Sequence, residues 1–311
     1  MIDLVTVLGH TAAGKTAFAA HLAESLGGEI ISADSRQVYR GMDIGTGKDY
    51  QDYIVKGKRI PAHLIDILDA GYEYNVYLFK RDFLRVYTNI SEAGVMPVLC
   101  GGSGLYIESV LRDYRLLNVP LNPGLREELK DKDSDELVKI LSLHGPMHNT
   151  TDTTNRKRLV RAIEIAMYQT HHLDHTGDER ELNPLVLGIR FERNIRRERI
   201  TRRLRDRMEE GMVEEVEGLL ERGVTAEKLD YYGLEYRYIS KYVLKEISYD
   251  EMFRKLNTAI HQFAKRQMTY FRGMERRGIS IHWLDGGLPM EDKVNQAMSL
   301  FKANETPRGD P

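Results

Sequence analysis

The feature that most constrains this 311-residue chain lies near its amino end. Leu4-Val5-Thr6-Val7-Leu8 is short, β-branched and apolar on both faces, the pattern of a strand buried in a parallel sheet. Gly9-His10-Thr11-Ala12-Ala13-Gly14-Lys15-Thr16 follows and satisfies G-x-x-x-x-G-K-[ST] in full. Thr16 to Leu26 then carries Phe18, Leu22, Ala23 and Leu26 at helical spacing, and Gly27-Gly28 stops it. Strand, glycine-rich loop and helix in that order are what a phosphate loop requires. The glycines let backbone N–H groups converge on phosphate oxygens, the helix N-terminus adds positive potential, Lys15 supplies a point charge, and the Thr16 hydroxyl can ligate Mg²⁺. A plain glycine-rich turn would leave Lys15 unexplained. The loop does not choose its phosphate compound, since ATP-binding kinases, other nucleotide-binding enzymes and pyrophosphate-releasing transferases use it alike.

The order of elements extends this start into an α/β fold. Further strands are expected at Glu29–Ala33, His63–Leu68 and Met96–Cys100, with a helix at Val76–Ser91 between the last two. The alternation predicts a P-loop NTPase-like parallel sheet core, with sites at the carboxyl ends of its strands. Residues 120–183 shift to charged helix formers (Leu125–Lys130, Asp135–Leu143, Arg156–Tyr168) with no strand pattern, a helical insertion domain. The core therefore comprises residues 1–119 and 184–290, with a strand at Leu185–Phe191, long helices at Ile195–Arg222 and Tyr249–Arg276, and a last strand at Ser280–Leu284. Residues 302–311 read as a polar, unordered tail. A 41% hydrophobic and 30% charged composition excludes general disorder. Cys100 is the only cysteine, which excludes an intramolecular disulfide and a cysteine-rich zinc site and suits the cytoplasm. The first apolar run is broken by Asp3 and ends in the glycine loop, so it is neither a signal peptide nor a membrane span, and no membrane partner is expected.

Three further features bear chemistry. Asp34 closes the second strand, where a carboxylate can face a group beside the phosphates or simply cap the next turn. Gln37, Tyr39 and Arg40 after it offer donors and a stacking ring of the kind that holds a base. Gly101-Gly102-Ser103-Gly104 ends the fourth strand and starts a helix, so Ser103 either meets a ligand or caps that helix. The third feature is charge. The formal total of −2 argues against non-specific coating of nucleic acid, yet Arg190 to Arg207 holds nine arginines against three acids, and Arg254 to Arg277 holds seven basic residues against Glu275. Arg156, Lys157, Arg158 and Arg161 form a third cluster. Any one cluster is adequately a solvated helix face, but three of them, with Tyr270 and Phe271 interleaved, favour a phosphate backbone as partner. His171, His172 and His175 have no fourth ligand nearby and do not make a metal site.

Six blocks in order resemble the bacterial tRNA dimethylallyltransferases, also called tRNA isopentenyltransferases. They are the phosphate loop, Asp34 to Thr46, His63-Leu64-Ile65-Asp66, Gly101 to Tyr106, Arg158 to Glu164, and Ala264 to Arg272, and the resemblance spans about residues 3–285. It implies transfer of a dimethylallyl group from dimethylallyl diphosphate to N6 of the adenosine 3′ of the anticodon, with Mg²⁺ as cofactor. Asp34 matches the general base, Lys15 and Ser103 match catalytic positions, and Gly9, His10, Thr11, Ala12, Ala13, Gly14, Lys15 and Thr16 match the diphosphate site, with Thr16 on the metal. Asp34, Ser35, Arg36, Gln37, Ser103, Arg126, Lys157, Arg158, Leu159, Val160, Arg161, Lys265, Arg266, Gln267 and Arg272 match tRNA-contacting positions, and residues 120–183 become an arm for the tRNA. A cytoplasmic monomer is expected. Departures are Ser103 for threonine, His10 for proline, and Gly233-Leu234-Glu235-Tyr236 for Gly-Tyr-Lys-Glu. Asp230 falls near a position where some members place an arginine on the diphosphate, with Arg237 a candidate replacement. A small-molecule kinase, an adenylate prenyltransferase acting on free AMP, and a tRNA-binding paralogue without catalysis remain alternatives. The kinase alone would consume ATP.

Overall fold

The computed structural model describes residues 1–144, 155–171 and 182–305. The chain divides into two compact units, Met1–Asp113 with Glu181–Pro311, and Tyr114–Arg180. The first carries all the strands: β1 (Leu4–Gly9), β2 (Gly28–Ser32), a short hairpin of β3 (Ile54–Val55) and β4 (Lys58–Arg59), β5 (Ala62–His63), β6 (Met96–Gly101), β7 (Pro184–Arg190) and β8 (His282–Asp285). Six of them form one parallel sheet in the order β5-β2-β6-β1-β7-β8, with Val5 beside Val98 of β6 and Leu185 of β7. Helices α1 (Lys15–Leu26), α2 (Val76–Glu92) and α3 (Gly104–Leu111) precede the second unit, which holds α4 (Pro123–Glu128), α5 (Ser134–Ser142) and α6 (Arg156–His171). The first unit resumes after β7 with α7 (Arg193–Glu209), α8 (Met212–Glu221), α9 (Ala226–Tyr232), α10 (Leu234–Val243), α11 (Tyr249–Arg276) and, after β8, α12 (Met290–Glu305).

β1 is buried along its whole length, and its alternation feeds two cores. Leu4 and Leu8 join Leu99, Phe79, Phe83 and the Ala264, Met268 and Phe271 stripe of α11 on one face. Val5 and Val7 join Phe18 and Leu22 of α1 and Ala297 of α12 on the other. Each such fully buried large side chain contributes about 1.5–3 kcal/mol, so the sheet holds the loop after β1 against a rigid base. The second unit has its own small core of Leu125, Leu129, Leu137, Leu141, Leu159 and Ile163. Asp133 and Glu136 start α5 with a reciprocal capping box.

Four expectations need correction. The third strand stops after His63, because Leu64 and Asp66 take left-handed backbone (φ 61° and 54°) and Asp66 turns to bond Lys48 and the Tyr50 hydroxyl. Only Leu68 returns, as an isolated bridge to Tyr39. The long helix over Ile195–Arg222 is two helices, divided at Gly211 (φ 99°), which turns α8 back toward the 43–45 turn. Residues 302–305 are helical, not an unordered tail: α12 runs to Glu305, which accepts a hydrogen bond from the Ile2 N–H at 2.7 Å. Residues 306–311 lie outside the described residues. The second unit opens at Tyr114, earlier than Pro120, since Arg161 of α6 ties the Val119 and Pro120 carbonyls to it.

Candidate active site

The carboxyl ends of β1, β2 and β6 are adjacent, and the loops leaving them build the site. After β1 the loop closes on Gly14, whose φ of 72° as the N-cap of α1 is a conformation only glycine takes cheaply. Lys15 folds back so that its Nζ donates to the His10 carbonyl at 2.9 Å. Burial lowers the Lys15 ammonium to about 8, with Arg203 lowering it further and Asp34 and Cys100 acting the other way. His10 is fully buried and donates from Nδ1 to the Thr11 carbonyl at 2.6 Å, and burial holds it neutral with a pKa of about 4. Arg199 of α7 donates to the Ala12 carbonyl at 3.1 Å and lies over the Phe191 ring. A neutral imidazole and a bonded carbonyl row thus leave Lys15 as the loop's own charge, available to a phosphate.

β2 ends at Ser32, and Asp34 sits half-buried just beyond it. Asp34 Oδ1 accepts the Arg36 N–H at 2.8 Å, so the residue does cap its turn, and its charge still reaches Lys15. Ser103 holds the N-cap position of α3, but its hydroxyl makes no capping bond there and instead accepts the Ser35 N–H at 3.2 Å, joining the β6 turn to the Asp34 turn. Gln267 of α11 binds the loops from above, its Oε1 accepting the Thr11 N–H at 2.8 Å and its Nε2 donating to the Gly102 carbonyl at 3.0 Å. Gln37 takes the Ser32 hydroxyl at 3.1 Å and donates to the Gly47 carbonyl at 3.0 Å. Glu215 of α8 completes the frame by accepting the N–H groups of Asp43, Ile44 and Gly45 at 2.7, 2.7 and 3.0 Å and the Tyr236 hydroxyl at 2.8 Å. The sequence alone gave Glu215 no role.

Several residues expected at the ligand lie elsewhere. Tyr39 is fully buried, with its hydroxyl accepting the Tyr74 N–H at 3.0 Å and its ring against Tyr232, so it offers no stacking face. Arg40 pairs with Asp69 at the surface. The ring beside this turn is Tyr231, over which the Arg36 guanidinium lies at 4.8 Å. Phe271 is a core residue, and Tyr270 packs on Gly104 with its hydroxyl on Glu108 at 2.7 Å. Arg237 ion-pairs with Asp230, so each neutralises the other. Gln267 and Gln37 are buried braces. Leu159 is fully buried in the core of the second unit, while Val160 packs against it and stays partly exposed. Arg126 and Arg161 both bind Glu164, with Nε–Oε1 2.7 Å and Nη1–Oε2 2.9 Å respectively. Lys157 and Arg158 are exposed on α6, and Lys265, Arg266 and Arg272 are exposed on α11. The histidines at 172 and 175 and the side chain of His171 lie outside the described residues.

α7 holds residues that local charge density concealed. Ile200, Arg203, Leu204 and Arg207 share its inner face and, with Thr11, Ala12, Met212, Glu235 and Ile260, line a narrow recess beside the phosphate loop. Arg203 and Arg207 both reach Asp49, at 3.0 and 3.4 Å. A donor set for Mg²⁺ is also present in the right form. Among the described residues no cluster of three His, Cys, Asp or Glu exists to cage a metal, whereas Thr16 is half-buried next to Lys15 at the loop. One protein hydroxyl plus substrate phosphate oxygens and water is how Mg²⁺ is usually held, so the residues fit.

A parallel α/β sheet with a glycine-rich G-x-x-x-x-G-K-T turn after its first strand, and a carboxylate and a hydroxyl just beyond two neighbouring strands, places the chain in the class of P-loop-like α/β folds. Residues 37–274 match the family model described as IPP transferase. The chain is 55% identical over 299 residues to tRNA dimethylallyltransferase 2 of Phocaeicola vulgatus, covering 96% of this chain and 97% of that one. It is 56% identical over 300 residues to a protein of the same name from Bacteroides fragilis, covering 96% and 98%. Its fold is similar to the crystal structure of full-length tRNA isopentenylpyrophosphate transferase from Bacillus halodurans, with a TM-score of 0.72, 29% identity and coverage of 97% and 96%. The chain belongs to the IPP transferase family. Among the described residues no helix is long and apolar enough to cross a membrane.

Proposed function

We propose that this protein transfers a dimethylallyl group from dimethylallyl diphosphate to N6 of the adenosine 3′ of a tRNA anticodon. The observation that carries this is the adjacency of Asp34, Ser103 and Lys15 on the ends of β2, β6 and β1, with Asp34 and Lys15 in electrostatic contact. The N6 amine is a poor nucleophile because its lone pair is delocalised into the ring. As N6 bonds to C1 of the prenyl group and the C1–O bond breaks, the N6 proton passes to the Asp34 carboxylate and the electron pair leaves with the diphosphate. Lys15 and the loop N–H groups stabilise that leaving charge. Ser103 holds the Asp34 turn through the Ser35 N–H and orients the base it receives. Thr16 is the residue that would hold Mg²⁺, which when bound supplies further charge to the leaving group. An adenine stacked in an anticodon loop cannot reach such a site, so the nucleotide is extruded on binding.

The exposed basic side chains Lys157, Arg158, Lys265, Arg266 and Arg272 contact the phosphate backbone of the stem-loop. We propose further that it works as a cytoplasmic monomer. The test is to incubate it with labelled dimethylallyl diphosphate, Mg²⁺ and an anticodon stem-loop, then digest and look for N6-dimethylallyladenosine. Label in that nucleoside without any added NTP is the expected result. Label appearing only on free AMP, or turnover that requires ATP, would overturn it.

A further inference from the structure

Two guanidiniums in the α7 recess bond a single carboxylate between them, that of Asp49. Arg203 and Arg207 lie side by side, one helical turn apart, with both guanidiniums against Gly47, where a Cβ would collide with each. Burial and Arg207 push Arg203 down to about 10, although Asp49, Glu235 and Asp52 act in its favour. A guanidinium stays protonated at any physiological pH. Asp49 is half exposed and, among the described residues, is the carboxylate that both arginines bond. The recess is shared with Thr11 and Ala12 of the phosphate loop.

We infer that Arg203 and Arg207 are the second wall of the donor site: they clamp the diphosphate against the phosphate loop, and Asp49 is an internal carboxylate that holds them until the diphosphate displaces it. The inference rests on the donor assignment above and deepens it. A diphosphate carries more charge than a carboxylate and presents several oxygens to planar guanidiniums, which favours the exchange. Arg237 does not fill this role, being paired with Asp230. The frame already described explains how the wall is fixed. Gln37 and Glu215 hold the 43–47 turn, the turn backs onto the two guanidiniums through Gly47, and Ile200 and Leu204 bury the helix face that carries them.

The test is calorimetric binding of inorganic pyrophosphate in Mg²⁺ to the full chain and to Arg203→Lys, Arg207→Lys and Asp49→Asn, with thermal melting to confirm that each folds. Lysine keeps the charge and loses the planar fork, so each arginine variant is expected to bind pyrophosphate about tenfold or more weakly. Asp49→Asn removes the competitor and is expected to bind it severalfold more tightly. If the wild-type chain binds pyrophosphate and the three variants match it, or if Asp49→Asn binds more weakly, the arginines only tether the 43–49 segment and the clamp is wrong, while the donor assignment stands. If Lys15→Ala and the wild type alike fail to bind pyrophosphate, the donor assignment falls first and the clamp with it. A variant that melts early is read through Asp49→Asn, which leaves both guanidiniums in place.

Discussion

Two arginine-rich helices, α6 and α7, look alike in the sequence and do different work in the fold. In α6, Arg161 and the Arg126 that reaches it from α4 both end on Glu164, a carboxylate 3% exposed. Burial would raise its acid form, but bonds from Arg126, Arg161 and the Asn122 N–H outweigh this and hold it at about 2. In α7, Arg203 and Arg207 share one half-exposed aspartate beside the phosphate loop. What separates a structural arginine from one that awaits a ligand is therefore the carboxylate opposite it, not the density of charge around it.

The contrast breaks most visibly at Asp34, the proposed base, which caps the Arg36 turn and in the proposal also serves the substrate. Asp34→Ala is expected to lower the chemical rate about 10²–10⁴-fold, the usual range for a lost general base, with little change in melting temperature; single-turnover prenyl transfer measures it. An unaltered rate would mean that Asp34 does no more than cap the Arg36 turn. Charge spent on the fold should behave in the opposite way. Glu164→Ala leaves two arginines facing each other, and because their side chains are 42% and 34% exposed the cost is about 2 kcal/mol, below that of a fully buried pair. Hydrogen exchange of the Leu125, Leu137 and Ile163 amides should accelerate about thirtyfold. Since the folded pKa of Glu164 is depressed from 4.5 to about 2, its contribution is complete above pH 4.5 and fades as pH falls toward 2. Protection of those amides that is flat across that window would remove Glu164 from the core of the second unit.

Much of this was legible locally. The strand, loop and helix at 4–26 and the helix Tyr249–Arg276 follow from apolar periodicity and glycine stops, and the structure returns them nearly unchanged. Gln267 was half-legible, being a polar residue on the Ala264, Met268, Phe271 stripe. That it braces Thr11, 256 positions away in sequence, is a tertiary fact with no local trace. The burial of Leu159 was legible in its place on the apolar face of α6. The inner face of α7 was open to the same test, because 200, 203, 204 and 207 fall at i, i+3, i+4 and i+7, but nine arginines in the segment hid it. The strand lost after His63 depends on Lys48 and Tyr50 drawing Asp66 aside, which no propensity of residues 63–68 contains.

Lys15 tests the ligand-facing side through pH. Its free-protein pKa of about 8 lies below the ordinary lysine value, and only the ammonium attracts diphosphate. Affinity for a non-reactive diphosphate ester of the prenyl donor should therefore be level below pH 8 and fall by up to tenfold per unit above it. Lys15→Arg keeps its charge throughout and should give a flat profile; a matching fall in that variant would put the titration on another group.

The smallest effect is also the most discriminating between the two kinds of arginine. Arg266 is exposed on α11, its guanidinium 5.9 Å from the Phe263 ring, with no carboxylate pairing it among the described residues. Arg266→Ala should reduce the slope of log affinity against log salt for an anticodon stem-loop by about 1, because one phosphate contact and its released counterion are lost. Arg161→Ala removes a guanidinium already committed to Glu164 and to the Val119 and Pro120 carbonyls. It should loosen the second unit and leave that slope unchanged. Equal slopes for the two variants would mean that pairing with a buried carboxylate does not withdraw an arginine from RNA, and the distinction drawn between α6 and α7 would not hold.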